Sequence, residues 1–165
     1  MKKILFALCG SLSLMAMNCV SESDTRHTNI VFHNAADYDI YVDRSFYYPD
    51  TSLLHQQNVT TPGWNYKVES NTTNDAAFWS RTSYESLFHS MEVLIVFVYN
   101  ADSLAAYGWD YVKNNYMVSQ RYDLTLNDLY RLDWQLAFPP TPEMRDIKMW
   151  PPYGTYDSLG RRVER

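Results

Sequence analysis

The chain has 165 residues, 46% of them hydrophobic and 16% aromatic, with 14 lysines and arginines against 19 acidic residues and a net charge of −5. That balance argues against a nucleic-acid binder, whose phosphates need a basic footprint, and against adhesion to a membrane through a polybasic patch. Two cysteines, Cys9 and Cys19, both lie near the start, so the body has none for an internal disulfide, a thiolate metal site or a thiol nucleophile.

Lys2 and Lys3 precede an apolar run from Ile4 to Met17, the charge-then-apolar order of an export signal. The run is too short for a membrane span, which needs about 20 residues. It stops at Ala16-Met17-Asn18-Cys19 and turns polar and acidic at once. That ending resembles a bacterial lipoprotein signal, with Asn18 departing from the Gly, Ala or Ser such signals prefer before the cysteine; the resemblance implies that the Cys19 thiol receives a diacylglyceryl group and the freed amino terminus is acylated. One acyl chain holds a protein to a membrane marginally and two hold it stably. The expected organisation is therefore a signal over 1–18, an acidic polar tether over 19–27, a β-rich domain over 28–150 and a partly disordered tail over 151–165. The alternative is an ordinary secreted protein with a free cysteine. Cleavage before Cys19 would leave 147 residues with two fewer lysines, hence 12 cationic against 19 acidic side chains and a net charge of −7.

In chain order, "NIVFHNAADYDIYV" (29–42) carries two apolar pulses around turn residues and predicts a β-hairpin. Pro62-Gly63 marks a turn, residues 66–69 a short strand and "SNTTND" a loop. "AAFWSRTSYESLFHS" (76–90) predicts an irregular helix or two turns, with Ala76, Phe78 and Trp79 plugging the core. "MEVLIVFVYN" (91–100) is β-branched and aromatic and apolar on both faces, as a central strand covered from both sides must be. After it comes a polar run with apolar points at Val112, Tyr116 and Val118. Thr125 with Asp128 three residues on has the form of a capping box and opens a helix of about two turns. "WQLAFPP" (134–140) predicts a strand stopped by its prolines, and Met149, Trp150 and Tyr153 are expected to fold back onto the body. The sum is a mainly β single domain, a small antiparallel sandwich or partly open barrel with one or two short helices.

The chain lacks the nucleophile elbow, the Walker loop, the dinucleotide fingerprint and the H-E-x-x-H zinc motif. His27, His33, His55 and His89 are far apart, so no metal site or cofactor is expected. Asp37, Asp39 and Asp43 are spaced for one side of a strand or a solvated turn; a carboxylate-based hydrolase would need two of them across a cleft. The 14 tyrosines and 5 tryptophans offer a different chemistry. Rings open to solvent stack on sugars, and Tyr47, Tyr48, Trp64, Trp79, Trp109 and Trp150 are the candidate ligand-binding set. The competing role for such rings is packing, since each buries about 150–250 Å².

The signal ending at Cys19, "IYVDRSFYYPDTSL", "LIVFVYNADSLAAYGWDYVKNNYMVSQRYDLTLNDLYRLDW" and "AFPP" together cover roughly half of the chain after the signal. In these stretches the chain resembles small uncharacterised lipoproteins of Bacteroides and related Bacteroidetes. The resemblance implies an outer-membrane lipoprotein with a β-rich body, and the acidic "VSESD" after Cys19 loosely resembles the stretch that sends some of them to the outer surface. It implies no activity. The reading is thus a non-enzymatic envelope lipoprotein, membrane-anchored through its lipid, that binds a partner. A glycan or an envelope protein is the candidate ligand, and a carboxylate-based hydrolase is the enzymatic alternative.

Overall fold

The computed structural model describes residues 26–63 and 66–163. The expected signal, Cys19, nearly all of the tether and Trp64 lie outside the described residues. The fold is mainly β, with eight strands in two open sheets and four short helices among the described residues. The strands are β1 (Val31–Asn34), β2 (Ile40–Ser45), β3 (Lys67–Val68), β4 (Thr72–Asn74), β5 (Leu94–Asn100), β6 (Gln120–Leu124), β7 (Gln135–Phe138) and β8 (Lys148–Trp150). The helices are α1 (Tyr84–Leu87), α2 (Ala101–Tyr107), α3 (Trp109–Asn114) and α4 (Leu126–Arg131).

A three-stranded sheet in the order β4-β1-β7 packs on a five-stranded sheet in the order β3-β2-β5-β6-β8. All pairings are antiparallel except β1 with β7. Between the sheets, Ile30, Phe32, Leu136 and Phe138 meet Val42, Leu94, Val96 and Tyr122 in one buried cluster. The Tyr122 hydroxyl donates to the Ala137 carbonyl at 2.7 Å, joining the layers at their centre. On the other face of the large sheet, Ile95, Phe97 and Tyr99 pack under Leu104, Trp109 and Val112 of α2 and α3. β5 is therefore covered twice, which is why its sequence is an unbroken apolar run rather than an alternation.

Local chemistry sets the element ends. Asn100 ends β5 and caps α2, accepting from the Ser103 amide at 2.9 Å. Gly108, at φ 75°, separates α2 from α3 in a conformation that favours glycine. At Thr125 the reciprocal capping box is formed, with the Asp128 amide donating to the threonine hydroxyl at 3.2 Å and the Thr125 amide to the Asp128 carboxylate at 2.9 Å.

Several expectations are corrected. Residues 29–42 are not a hairpin, because β1 and β2 belong to different sheets. Asn34 steers the crossing: its buried amide donates to the carbonyls of Tyr38, Val68 and Glu69 and its oxygen accepts from the Ala36 amide. Four backbone groups, two in the bend and two at the end of β3, are thereby satisfied. "SNTTND" holds β4 rather than a loop, the polar run after residue 100 holds α2, α3 and β6, and α1 is a single turn capped by Ser83. Of the expected plug, Phe78 is buried and Trp79 points to solvent. The tail is not loose as far as Val163. Tyr156 donates to the Ser119 carbonyl at 2.6 Å, Tyr38 donates to the Gly160 carbonyl at 2.8 Å, and Arg161 pairs with Asp37.

Candidate functional site

Strand alternation sends Asp43 and Ser45 of β2, Ile95 and Phe97 of β5, and Arg121 and Asp123 of β6 to the helix-covered face of the large sheet. Register places them in two rows running across the strands. One row is Asp43, Phe97, Arg121 and Trp150, and the other is Ser45, Ile95, Asp123 and Lys148. The α2–α3 pair covers only part of this face, and on the β6–β8 side Trp150 and Lys148 reach solvent while Asp123 lies buried among its neighbours.

A charged and aromatic cluster occupies that side. The Arg121 Nε donates to Asp123 at 2.9 Å and its Nη1 to the Tyr116 hydroxyl at 3.2 Å. The Lys148 ammonium lies 3.5 Å from Asp123, donates to the Tyr48 hydroxyl at 3.3 Å and sits 5.3 Å from the centre of that ring. Trp150 meets Tyr116 with ring centres 5.7 Å apart and keeps 45% of its surface in water. Burial works against the Arg121 charge, but the Tyr116 hydroxyl and the Asp123 carboxylate more than offset it and hold its pKa up. The Lys148 pKa is raised by its bond to the Tyr48 hydroxyl, then by the Tyr48 and Asp123 charges. Both cations thus persist at any physiological pH.

One strand pair away, Asp43 lies buried under the loop that follows β2. It accepts from the Arg44 amide at 2.7 Å and, with the Gln56 amide nitrogen turned inward, from Gln56 at 2.5 Å. Burial pushes its carboxyl up to about 7, against the lowering effects of the Arg44 amide and charge. The nearby Tyr99 hydroxyl is buried with no hydrogen-bond partner among the described residues, and burial, then the Asp43 charge, pushes its pKa well up.

Of the candidate rings, Tyr48 and Trp150 join this cluster. Among the described residues the others do not join them: Tyr47 stacks on His55 at 4.2 Å and Trp79 stands exposed, while Trp64 is outside the described residues. Trp109 is corrected to a core residue: as the first residue of α3 it closes over the sheet, edge-on to Tyr99 at 5.5 Å and 9% exposed.

The carboxylates singled out by spacing have separate partners. Asp37 and Asp39 do line one shallow groove of about 590 Å³, with Asp102 and Lys67. Asp39 accepts from Lys67 at 2.7 Å, and this bond, then the Ser70 amide, holds its pKa down. Asp37 is paired with Arg161. A second groove of about 570 Å³ runs along the outer face of the small sheet past His33, Arg131 and Glu143. Its main groups are already engaged, His33 with the Thr73 hydroxyl at 3.0 Å and Arg131 with Asp128 at 3.0 Å, and it offers no aromatic ring. No three His, Cys, Asp or Glu side chains converge on a metal site among the described residues.

Sequence reasoning missed Arg121, Asp123, Lys148 and Tyr116. The one available signal was the alternation in "QRYDL", charged at Arg121 and Asp123 and apolar at Tyr122 and Leu124, which marks a strand with one polar face. No family model matches the chain, and neither a curated protein nor a solved structure matches it significantly.

Proposed function

We propose that this protein is a non-enzymatic lipoprotein of the bacterial envelope, held at the outer membrane by lipid on Cys19, that binds glycans on the β6–β8 face. The observation that carries the reading is Trp150, half in water and braced by Tyr116, beside the Arg121–Asp123–Lys148 network. A sugar ring presents a C–H face that stacks on indole and a rim of oxygens that needs fixed donors. Trp150 supplies the first and the exposed Lys148 ammonium the second, and Lys148 is held in place before any ligand arrives, which lowers the ordering cost of binding. The hydrolase alternative is weaker, since Asp37 and Asp39 each have a cation of their own and Asp39 stays ionised, so that groove offers no pair of one acid and one free base.

The test has two parts. Affinity electrophoresis of the mature chain through gels containing a panel of neutral and acidic polysaccharides should show retardation, and Trp150→Ala should abolish it while leaving the melting temperature within a few degrees. Retardation by no polysaccharide, or retardation indifferent to Trp150, would sink the glycan reading. The anchor is tested separately, by acyl-probe labelling in a Bacteroides host against Cys19→Ala and by protease treatment of intact cells. Absence of labelling would remove the anchor and leave a secreted binder.

A further inference from the structure

We infer that the end of the sandwich where the chain enters, rimmed by Phe46, Trp79 and Tyr130, rests on the lipid surface itself. The inference builds on the lipid anchor at Cys19. His27 is fixed to the body: its ring stacks on Trp134 at 4.1 Å, its Nδ1 lies 2.6 Å from Glu85, and its amide donates to both oxygens of that carboxylate. Its carbonyl accepts from the Tyr84 amide and that of Thr28 from the Ser80 amide, each at 2.8 Å. The chain therefore leaves the domain at a defined place. Only seven residues lie between His27 and Cys19, so the acylated cysteine can stand at most about 29 Å away. So short a leash keeps the entry end close to the bilayer and favours turning it toward the lipid.

That end carries large rings that the fold leaves partly in water. Trp79 is 57%, Tyr130 46% and Phe46 42% exposed. All three connect to the chain entry. Ser80, next to Trp79, bonds to Thr28. Arg44 donates to the Trp79 carbonyl at 3.0 Å and lies 5.6 Å from the centre of the Phe46 ring. Tyr130 meets the His27 ring edge-on at 6.1 Å and its hydroxyl reaches Glu85 at 3.5 Å. Trp and Tyr favour the membrane–water interface, where one end of the ring is apolar and the other wet. Arg26 and Arg81, both exposed and next in sequence to the fixed residues, are placed to meet lipid phosphates; Glu85 is occupied by His27, and the exposed Asp133, between Tyr130 and Trp134, is the opposing charge. Two arginines and three exposed rings thus stand where the acidic tether begins. Resting there would leave the Trp150 face on the flank, free to take ligand.

Brominated-lipid quenching tests this. The mature chain is coupled through the Cys19 thiol to a maleimide lipid in vesicles of phosphatidylethanolamine and phosphatidylglycerol, so the measurement does not depend on whether cells acylate Cys19. Bromine in the acyl chains should quench part of the tryptophan fluorescence. Trp79→Phe should remove that quenched part, and Phe46→Ser with Tyr130→Ser should cut it at least threefold. No quenching, quenching that survives Trp79→Phe, or quenching undiminished in the double variant would overturn the inference. Near-UV circular dichroism off the membrane checks folding, and the conservative change at exposed Trp79 decides the matter should the double variant fail to fold. Acyl-probe labelling, by contrast, fails only if the anchor reading is wrong.

Discussion

Replacing Asp43 by asparagine should stabilise the protein at alkaline pH and do little in acid. Asp43 lies on the buried face of β2, and burial raises its carboxyl from 3.8 to about 7. An acid whose pKa is raised by folding binds its proton more tightly in the native state. Between pH 4 and pH 7 the native chain therefore holds more protons than the unfolded one, and stability falls as pH rises through that window. At 1.36 kcal/mol per unit, a shift of roughly three units amounts to about 4 kcal/mol lost by pH 8. Asparagine keeps the acceptor for the Arg44 amide and removes the charge, and Gln56 can turn its carbonyl to meet the new amide. Rearranging one buried hydrogen bond costs about 1 kcal/mol. Asp43→Asn should then gain about 3 kcal/mol at pH 8 and lose about 1 kcal/mol at pH 4. Urea unfolding at pH 4, 6 and 8, with the slope of stability against pH compared between the two proteins, measures this. A variant destabilised equally at all three pH values would refute the reasoning, because the carboxylate would then be stabilising the fold as an anion.

At the opposite end of the pH scale, the His27 contacts hold the Glu85 pKa down despite the opposing effect of its burial. A lowered acid contributes stability above its unfolded pKa and loses it as pH falls, so acid titration below about pH 4.5 should destabilise the native protein more than Glu85→Gln. Gly160 sits at φ 77°, and an added Cβ would stand 2.7 Å from the Ala36 Cβ; Gly160→Ala should cost about 2 kcal/mol and speed proteolysis between Pro152 and Val163, read by limited digestion and mass mapping. Thr125→Ala breaks the capping box and should lower stability by about 1 kcal/mol, whereas Thr125→Ser should restore most of it in the same chemical melts.

The parts of this fold that could be read from sequence are those whose local chemistry is self-sufficient. β5 was legible because a strand covered on both faces has apolar residues at every position, and α4 because Thr125 and Asp128 cap it without outside help. β6 was not: its outward positions are Arg121 and Asp123, so no run of apolar residues announces it. β4, made of Thr72, Thr73 and Asn74, is a strand only because β1 offers it a ladder. The supposed hairpin failed for a related reason, since turn residues between two strands do not say whether the strands pair, and Asn34 sends them to different sheets. The site divides in the same way. Tyr48 and Trp150 could be named as rings, but their partnership with Lys148, Asp123 and Arg121 is made across strands up to 100 residues apart. Trp109 could not be told from an exposed ring because its burial depends on the angle that Gly108 gives to α3.

The charged cluster beside Trp150 makes poor sense as a stabilising device. Asp123 has 1% of its side chain exposed and Arg121 16%. Taking both out of water costs several kcal/mol per ion, and the attraction between them repays this at best about evenly, so well-packed apolar side chains would hold the sheets as firmly. β6 already shows that the fold can supply them, for Tyr122 and Leu124 on its other face are fully buried among apolar neighbours. Two cations also attend the one carboxylate, so the cluster carries an excess positive charge that the fold leaves unmatched in a protein acidic overall. Trp150 adds to the mismatch, leaving nearly half its surface in water although Met149 beside it packs into the core. Desolvated charge, unmatched charge and exposed indole converge on one stretch of sheet. A ligand with a ring face for Trp150 and an acidic group for Lys148 would cover the indole and match the excess charge.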